Sequence, residues 1–286
     1  MTSDSLPIPI VSSIAPFSER RKAWLCDVWG VLHDGIQAFE PAVQACLTFR
    51  KKGGAVVLIS NSPRPSPGVR GHLRALGVPD DCFDALVTSG DVTRDLMEGY
   101  RGKPIFHLGP PQDKAFFEGL AVQFSSPPEA AVIVCTGLFD DERESPEDYR
   151  PMLAKFAARR IPMICANPDL VVERGRKLLP CAGALAALYE GMGQTVIQAG
   201  KPFRPIYELA LGRLTTPVRP AELLAIGDGV DTDIKGAFAL GIDAIYVASR
   251  VHIHDRERDS VLDSAAVDRI FAERPRPLAA MLQLKW

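Results

Sequence analysis

Acidic, hydroxyl, amide and ammonium side chains follow short apolar segments at four separate points of this chain. Asp27 ends the segment AWLCD, Ser60 and Asn61 end VVLISN, Lys201 follows VIQAG, and Asp228 follows LLAIG, with Asp233 five residues later. Short apolar runs of this kind, bounded by glycine or proline, are typical of buried strands. Ligands of open α/β sheets bind at the carboxyl ends of the strands. The pattern therefore predicts a site built from strand-end side chains.

Asp27 is the first of these groups, and its chemistry has more than one interpretation. A carboxylate at a strand end can act as a metal ligand, as a nucleophile, or as both. Aspartates close to glycine are also common in turns, and Gly30 and Gly35 follow Asp27, so this segment alone leaves a turn-capping role open. The other three segments favour the chemical interpretation.

The order of the four segments resembles the four-motif signature of the haloacid dehalogenase superfamily of phosphatases. That signature is an Asp, then a Ser, then a Lys after a long insertion, then Gly-Asp with a second Asp five residues on. The resemblance runs from about Lys22 to Ser249. Within the superfamily, the chain looks like class IIA, the NagD-like and 4-nitrophenylphosphatase-like group, which has a large α/β cap between the second and third motifs.

The resemblance implies an α/β fold with a Rossmann-like parallel-sheet core and an inserted α/β cap domain of the C2 type. It also implies a Mg²⁺ cofactor, with Asp27 and Asp228 as ligands together with the main-chain carbonyl of Trp29. Asp233 is expected as a further ligand or as a partner of one. Asp27 is the expected nucleophile, which would form an aspartyl-phosphate that water then hydrolyses.

The phosphate-binding residues implied by the resemblance are Ser60, Asn61 and Lys201. A phosphomonoester is doubly charged, so an attacking carboxylate is repelled unless a cation and hydrogen-bond donors neutralise the phosphoryl oxygens. The two residues at the end of VVLISN are expected to donate hydrogen bonds, and Lys201 is expected to add a positive charge and to belong to the catalytic set. The expected substrate is a small phosphorylated metabolite of the sugar phosphate or nucleotide class.

Trp29 is a departure from this pattern. Phosphatases of the superfamily carry a second Asp two residues after the nucleophile, which serves as general acid and base, and this chain has a tryptophan there. His33 and Asp34 are candidate substitutes, although both are also ordinary turn residues. The tryptophan leaves two other functions open: a different displacement on the same fold, such as on a phosphonate, or a phosphate-binding protein with little turnover.

The predicted core comprises residues 1–101 and 180–286, and the predicted cap comprises residues 102–179. Within the cap, apolar runs predict strands at 104–108, 121–124, 131–135 and 161–166, and helices near 113–119 and 146–160. The tripeptide Asn167-Pro168-Asp169 is an ordinary turn sequence. It also looks like a turn that is common in the capped subclass, where the cap helps to select the substrate. Asn167 and Asp169 are therefore predicted to lie near the substrate.

Composition narrows the class of protein. The chain has 286 residues, 47% hydrophobic and 24% charged, with a net charge of -2. These values are typical of a globular protein and argue against a nucleic-acid or membrane partner. The absence of a signal-peptide pattern predicts a cytoplasmic protein. Its six scattered cysteines are expected to be buried free thiols. The apolar C-terminal segment is expected to pack on the core or to form a subunit contact, which leaves a homodimer open.

Overall fold

A computed structural model describes residues 6–174, 177–248 and 262–286. The chain divides into two compact units, the first of Met1–Ser60, Arg70–Leu86 and Tyr207–Trp286, and the second of Asn61–Val69 and Val87–Ile206. The predicted cap falls within the second unit, which also takes in flanking residues on both sides. The predicted domain boundaries themselves stay a prediction.

Strands and helices alternate along most of the chain. The described strands are β1 Ala23–Asp27, β2 Ala55–Ser60, β3 Ala85–Thr88, β4 Pro104–Leu108, β5 Gln123–Phe124, β6 Val132–Cys135, β7 Met163–Cys165, β8 Val171–Arg174, β9 Lys177–Pro180, β10 Val196–Gln198, β11 Leu223–Gly227, β12 Asp243–Val247 and β13 Ala279–Met281. The described α-helices are α1 Ala15–Ser18, α2 Glu40–Lys51, α3 Ser66–Ala75, α4 Ser89–Met97, α5 Arg150–Ala158, α6 Ala182–Glu190, α7 Arg204–Gly212, α8 Lys235–Ala239 and α9 Ser264–Ile270.

A six-stranded sheet with the order β13-β12-β11-β1-β2-β3 underlies the first unit. The strand β1 pairs in parallel with both β11 and β2, and β12 pairs in parallel with β11 and β13. All residues of β1 and β11 are buried, which is why both strands read as continuous apolar runs. The predicted α/β fold with a parallel sheet is confirmed.

Aromatic packing ties β1 to the helix α2 and to the C-terminus. The ring of Trp24 stacks on Phe49 with centroids 4.2 Å apart, and Trp286 lies 6.2 Å from Trp24. Burial of such a side chain stabilises the fold by about 1.5–3 kcal/mol relative to exposure. The prediction that the C-terminal segment packs on the core is confirmed, and β13 is a sixth strand that the sequence pattern did not predict.

The second unit contains a five-stranded sheet with the order β10-β7-β6-β4-β5. Alternate residues of β6 enter different cores: Ile133 and Cys135 join a cluster with residues of α5 and α6, whereas Val132 and Val134 join one with Phe116 and Phe117. Because side chains alternate along a strand, both faces of this sheet are covered. The four predicted strands of the cap are confirmed as β4 to β7.

Two local features differ from the sequence-based expectation. The segment predicted as a helix near 113–119 is a 3₁₀ helix, Pro111–Phe117. The strands β8 and β9 form an antiparallel pair after the Asn-Pro-Asp turn, in a stretch whose residues do not alternate between apolar and polar as in a typical exposed strand.

All six cysteines are free and buried, as predicted. Across the described ranges, no helix has both the length and the apolar character needed to cross a membrane.

Candidate active site

Three buried aspartates of the first unit lie together at the carboxyl edge of its sheet. Asp27, Asp228 and Asp233 each offer a carboxylate oxygen, and these oxygens lie within 4.8 Å of one another. The pairing of Cys26 with Ile226 places the ends of β1 and β11 side by side. The three side chains are only 5–7% exposed. Three carboxylates buried together repel one another, so this donor set fits a bound divalent cation.

Close backbone packing holds Asp233 in this group. The N–H of Gly229 donates to Asp233 Oδ2 at 3.1 Å. A Cβ at Gly227 or Gly229 would overlap the Asp233 carboxyl group, so the Gly-Asp-Gly sequence is needed for this approach. The segment Val230–Ile234 forms a π-helical turn before α8, a local distortion that is frequent at functional sites.

Tyr246 borders this group and was missed by sequence reasoning. It pairs with Gly227 across β11 and β12. Its burial and the neighbouring charge of Asp228 raise its pKa to about 12. Tyr246 is therefore an uncharged phenol beside the acidic group, and a β-strand tyrosine gave no sequence signal for such a position.

Trp29 lies in a folded-back segment that follows β1. The N–H of Leu32 donates to the carbonyl of Val28 at 2.9 Å, and the N–H of Gly30 donates to the carbonyl of His33 at 2.8 Å. The indole packs on Gly35, where a Cβ would overlap it, and it makes an edge contact with the ring of His33 at 5.3 Å. Gly35 has a φ of 88°, so glycine is required there for both backbone and packing reasons.

The two candidate acid substitutes are both engaged in this segment. His33 is 2% exposed, and its Nδ1 accepts a hydrogen bond from the N–H of Gly35 at 2.9 Å. Burial lowers the pKa of His33 to about 4, so the imidazole is neutral near pH 7 with its proton on Nε2. Asp34 Oδ1 accepts from the N–H groups of Ile36 and Gln37 at 2.9 and 2.8 Å. These contacts favour structural roles for both.

Asn61, Lys201 and Asp169 meet in the second unit. The Asn61 side-chain oxygen accepts from the Lys201 N–H at 2.7 Å. Its Nδ2 donates to the Lys201 carbonyl at 3.1 Å and to Asp169 Oδ1 at 2.8 Å. Both amide hydrogens of Asn61 are thereby used within the protein. If Asn61 donates to a phosphoryl group as predicted, either its main-chain N–H is the donor or one of these two side-chain hydrogen bonds must break.

Two glycines hold the Asn-Pro-Asp turn against this cluster. A Cβ at Gly200 would overlap the Asn61 amide, the Ser89 hydroxyl and the Pro168 ring, and a Cβ at Gly183 would overlap the Pro168 carbonyl. Within the turn, Asn167 Oδ1 accepts from the Asp169 N–H at 3.0 Å. The second unit thus brings Asn61, Lys201 and the predicted turn together, although their sequence positions are far apart. Ser60, the other predicted phosphate ligand, is a buried residue at the end of β2.

A further polar group at the carboxyl edge of the second sheet was not predicted. His107 Nε2 lies 2.9 Å from Thr136 Oγ1, and the Thr136 side chain hydrogen-bonds to Asp113. Burial lowers the pKa of His107 to about 4 and raises the pKa of Asp113. These residues belong to three separate segments, so no sequence motif links them. A shallow depression of about 580 Å³ near β9 is lined by Asp141–Ser145, Asp148 and Lys177–Pro180 and contains none of the predicted site residues.

Comparison with known proteins decides the family. A family model described as haloacid dehalogenase-like hydrolase matches residues 24–123, and one described as HAD-hydrolase-like matches residues 198–272. The crystal structure of a haloacid dehalogenase-like family hydrolase from Brucella suis 1330 is 44% identical, with 96% of this chain and 100% of that chain covered and a TM-score of 0.83. The chain belongs to the haloacid dehalogenase-like hydrolases.

Two characterised relatives of this hydrolase share most of its length. The ribonucleotide monophosphatase NagD of Escherichia coli K12 is 29% identical over 232 residues, which cover 79% of this chain and 87% of that protein. The acid sugar phosphatase of Staphylococcus aureus is 29% identical over 236 residues, which cover 80% of this chain and 87% of that protein. The predicted membership of the NagD-like class IIA group is confirmed.

Proposed function

We propose that this hydrolase is a Mg²⁺-dependent phosphatase that acts on a small phosphorylated metabolite through an aspartyl-phosphate on Asp27. The observation that carries the proposal is the buried group of Asp27, Asp228 and Asp233, whose carboxylate oxygens lie within 4.8 Å of one another. The names of its relatives support a phosphate monoester as substrate, because NagD is a ribonucleotide monophosphatase and another relative is an acid sugar phosphatase. The two names favour nucleotides and sugar phosphates as the first substrates to test.

In this proposal, Asp228 and Asp233 would hold Mg²⁺ together with Asp27 and the carbonyl of Trp29. The bound cation would neutralise charge on the phosphoryl oxygens and so permit the approach of an anionic nucleophile. Asp27 Oδ attacks phosphorus, and the leaving oxygen departs with the electron pair of the broken P–O bond. Water then releases phosphate from Asp27. The fixed position of Asp27 at the end of a fully buried strand supports it as the attacking group, because it needs no reorganisation.

The roles of Ser60, Asn61 and Lys201 as donors to the phosphoryl group remain part of the proposal. Lys201 is 3% exposed, and a buried ammonium group needs anionic or hydrogen-bonding partners. Asn167 and Asp169 are proposed to contact the substrate beyond its phosphate. Asp169 shares Asn61 with Lys201 through the hydrogen bonds described above, which supports a joint role for these residues. A cytoplasmic location is likewise an expectation from the sequence.

Phosphate release tests the proposal. Purified protein is incubated with nucleoside monophosphates, sugar phosphates, aryl phosphates and acetyl phosphate, with Mg²⁺ and with excess EDTA. We expect Mg²⁺-dependent release in the wild type and none above background in Asp27→Asn. The matched control is Asp231→Asn, because Asp231 lies in the same loop as Asp233 but is exposed and paired with Arg274 at 3.3 Å. Unchanged activity in Asp27→Asn would refute the covalent mechanism.

A second function is favoured by one observation, the tryptophan at position 29. A phosphate-binding protein with little turnover, or an enzyme that performs another displacement, would not need a general acid there. The same panel, together with thermal unfolding in the presence of inorganic phosphate, separates a binding protein from a phosphatase. A binding protein would be stabilised by phosphate and would release it from no ester.

A further inference from the structure

Trp29 occupies the position two residues beyond the proposed nucleophile, and its ring is held in place. The indole packs on Gly35 and on the edge of the buried His33 ring. Its N–H is not acidic near neutral pH, so it cannot protonate a leaving oxygen. Because Gly35 and His33 both pack against it, the indole ring is held in a fixed position.

The rest of this segment offers no ready proton either. Between Val28 and Phe39, the sequence contains only two ionisable side chains, His33 and Asp34. His33 is 2% exposed and bonded through Nδ1 to Gly35, so a substrate cannot reach it without opening the segment. Asp34 Oδ1 accepts two main-chain hydrogen bonds, which fix this carboxyl group within its own turn. The segment that carries Asp27 therefore supplies no general acid.

We infer that the natural substrate is an acyl phosphate, a mixed anhydride whose leaving group departs as a carboxylate without being protonated. This inference rests on the proposed function: it keeps the aspartyl-phosphate chemistry on Asp27 and replaces the phosphate monoesters that the relatives' names suggest with a mixed anhydride. In the first step, the Asp27 carboxylate forms an O–P bond, the P–O bond to the acyl group breaks, and its electron pair leaves on the carboxylate. In the second step, water oxygen bonds to phosphorus, the electron pair of the Asp27–phosphorus bond returns to Asp27, and both water hydrogens leave on dihydrogen phosphate. Neither step requires a protein acid.

The acidity of the leaving group decides between substrate classes. A carboxylic acid has a pKa of about 4 and a phenol a pKa of about 10, whereas an alkyl alcohol is far less acidic than either. A positioned general acid typically contributes about 10²–10⁴-fold to a rate. Without a general acid, hydrolysis of an alkyl phosphate is slowed by this whole factor, whereas hydrolysis of an acyl phosphate is slowed little. Trp29 is thus a specificity-determining residue for the leaving group.

The dependence of the rate on the leaving group tests this inference. Phosphate release from acetyl phosphate, 4-nitrophenyl phosphate, phenyl phosphate and glycerol phosphate is measured with Mg²⁺ for the wild type, Trp29→Asp and Trp29→Phe, with Asp27→Asn as the background. We expect kcat/KM of the wild type and of Trp29→Phe to fall steeply as the pKa of the leaving group rises. Trp29→Asp should flatten this dependence by raising the alkyl ester rate about 10²–10⁴-fold.

The outcomes separate the inference from the proposed function. Similar wild-type rates on acetyl phosphate and glycerol phosphate would overturn the inference and leave the phosphatase function standing, because an acid from outside this segment would then be acting. Release from nucleoside monophosphates or sugar phosphates but not from acetyl phosphate would also overturn the inference alone. Release from none of these compounds would overturn the proposed function itself. The wild-type rates on acetyl phosphate and glycerol phosphate decide the inference by themselves. The test is therefore valid even where Trp29→Asp fails to fold.

Discussion

The Asn61 side chain accepts a hydrogen bond from the main-chain N–H of Lys201 at 2.7 Å, across 140 positions of sequence. The N–H can only donate, so it fixes the oxygen of the amide toward Lys201 and the nitrogen toward Asp169. One short side chain therefore sets the position of the lysine loop and of the Asn-Pro-Asp turn together.

Replacement of Asn61 by leucine should destabilise the protein by about 1–3 kcal/mol. The substitution leaves the buried main-chain groups of Lys201 without the partner described here, and an unsatisfied buried polar group costs about that much. Urea unfolding measures the change. The control is Gln44→Ala, which removes an exposed hydrogen bond to Glu40 and should change stability by less than about 0.5 kcal/mol. Equal effects of the two variants would contradict the role given to Asn61.

Gly200→Ala should destabilise the second unit by about 1–3 kcal/mol through overpacking. Its new Cβ would overlap Ser89, Asn61 and Pro168, whereas a Cβ at Gly212, at the end of α7, meets nothing within 4 Å. Gly212→Ala is therefore the matched control, with an expected change between zero and a gain of about 1 kcal/mol. The comparison is made by thermal unfolding. A neutral Gly200→Ala would mean that the cluster around it adjusts freely.

Mg²⁺ should raise the unfolding free energy of the wild type independently of any activity. A ligand at about 100 times its Kd adds about 2.7 kcal/mol. Asp228→Asn should abolish this gain, while raising the stability of the metal-free protein because it relieves repulsion among three buried carboxylates. Asp231→Asn should keep the full gain. Thermal unfolding with and without Mg²⁺ measures both the lost Mg²⁺ gain and the raised stability of the metal-free Asp228→Asn variant. A Mg²⁺ shift that persists in Asp228→Asn would argue against the acidic group as the metal site.

His107 should make stability depend on pH between about 6.5 and 4. Burial lowers its pKa in the folded protein from 6.5 to about 4, so the unfolded chain binds the proton first as the pH falls. The contribution is fully present above about pH 6.5 and is lost as the pH falls toward 4. The slope of unfolding free energy against pH in this window should be shallower in His107→Gln. The exposed Gln44, which hydrogen-bonds to Glu40, gives the control, Gln44→Ala; parallel slopes for wild type and His107→Gln would contradict the role given to His107.

Much of the fold followed from local pattern. The runs ending at Asp27, Ser60 and Gly227 were recognisable as strands because parallel strands covered on both faces are continuously apolar. The strand β13 was not recognisable, since its few apolar residues become a strand only by pairing with β12. The 3₁₀ helix at Pro111–Phe117 likewise depends on tertiary packing, because Phe116 and Phe117 are buried in the same core cluster as Val132 and Val134 of β6.

By itself, the sequence determined the residue types and their order: acidic, hydroxyl, amide and ammonium groups at strand ends, with a tryptophan two residues beyond Asp27. Only the tertiary structure decided which of these groups are engaged with one another. It joined Asn61 to Lys201 and Asp169, closed His33 and Asp34 into local hydrogen bonds, and linked His107 to Thr136. The physical reason is that strand order and backbone approach bring residues together at distances of a few ångströms that sequence separation does not encode.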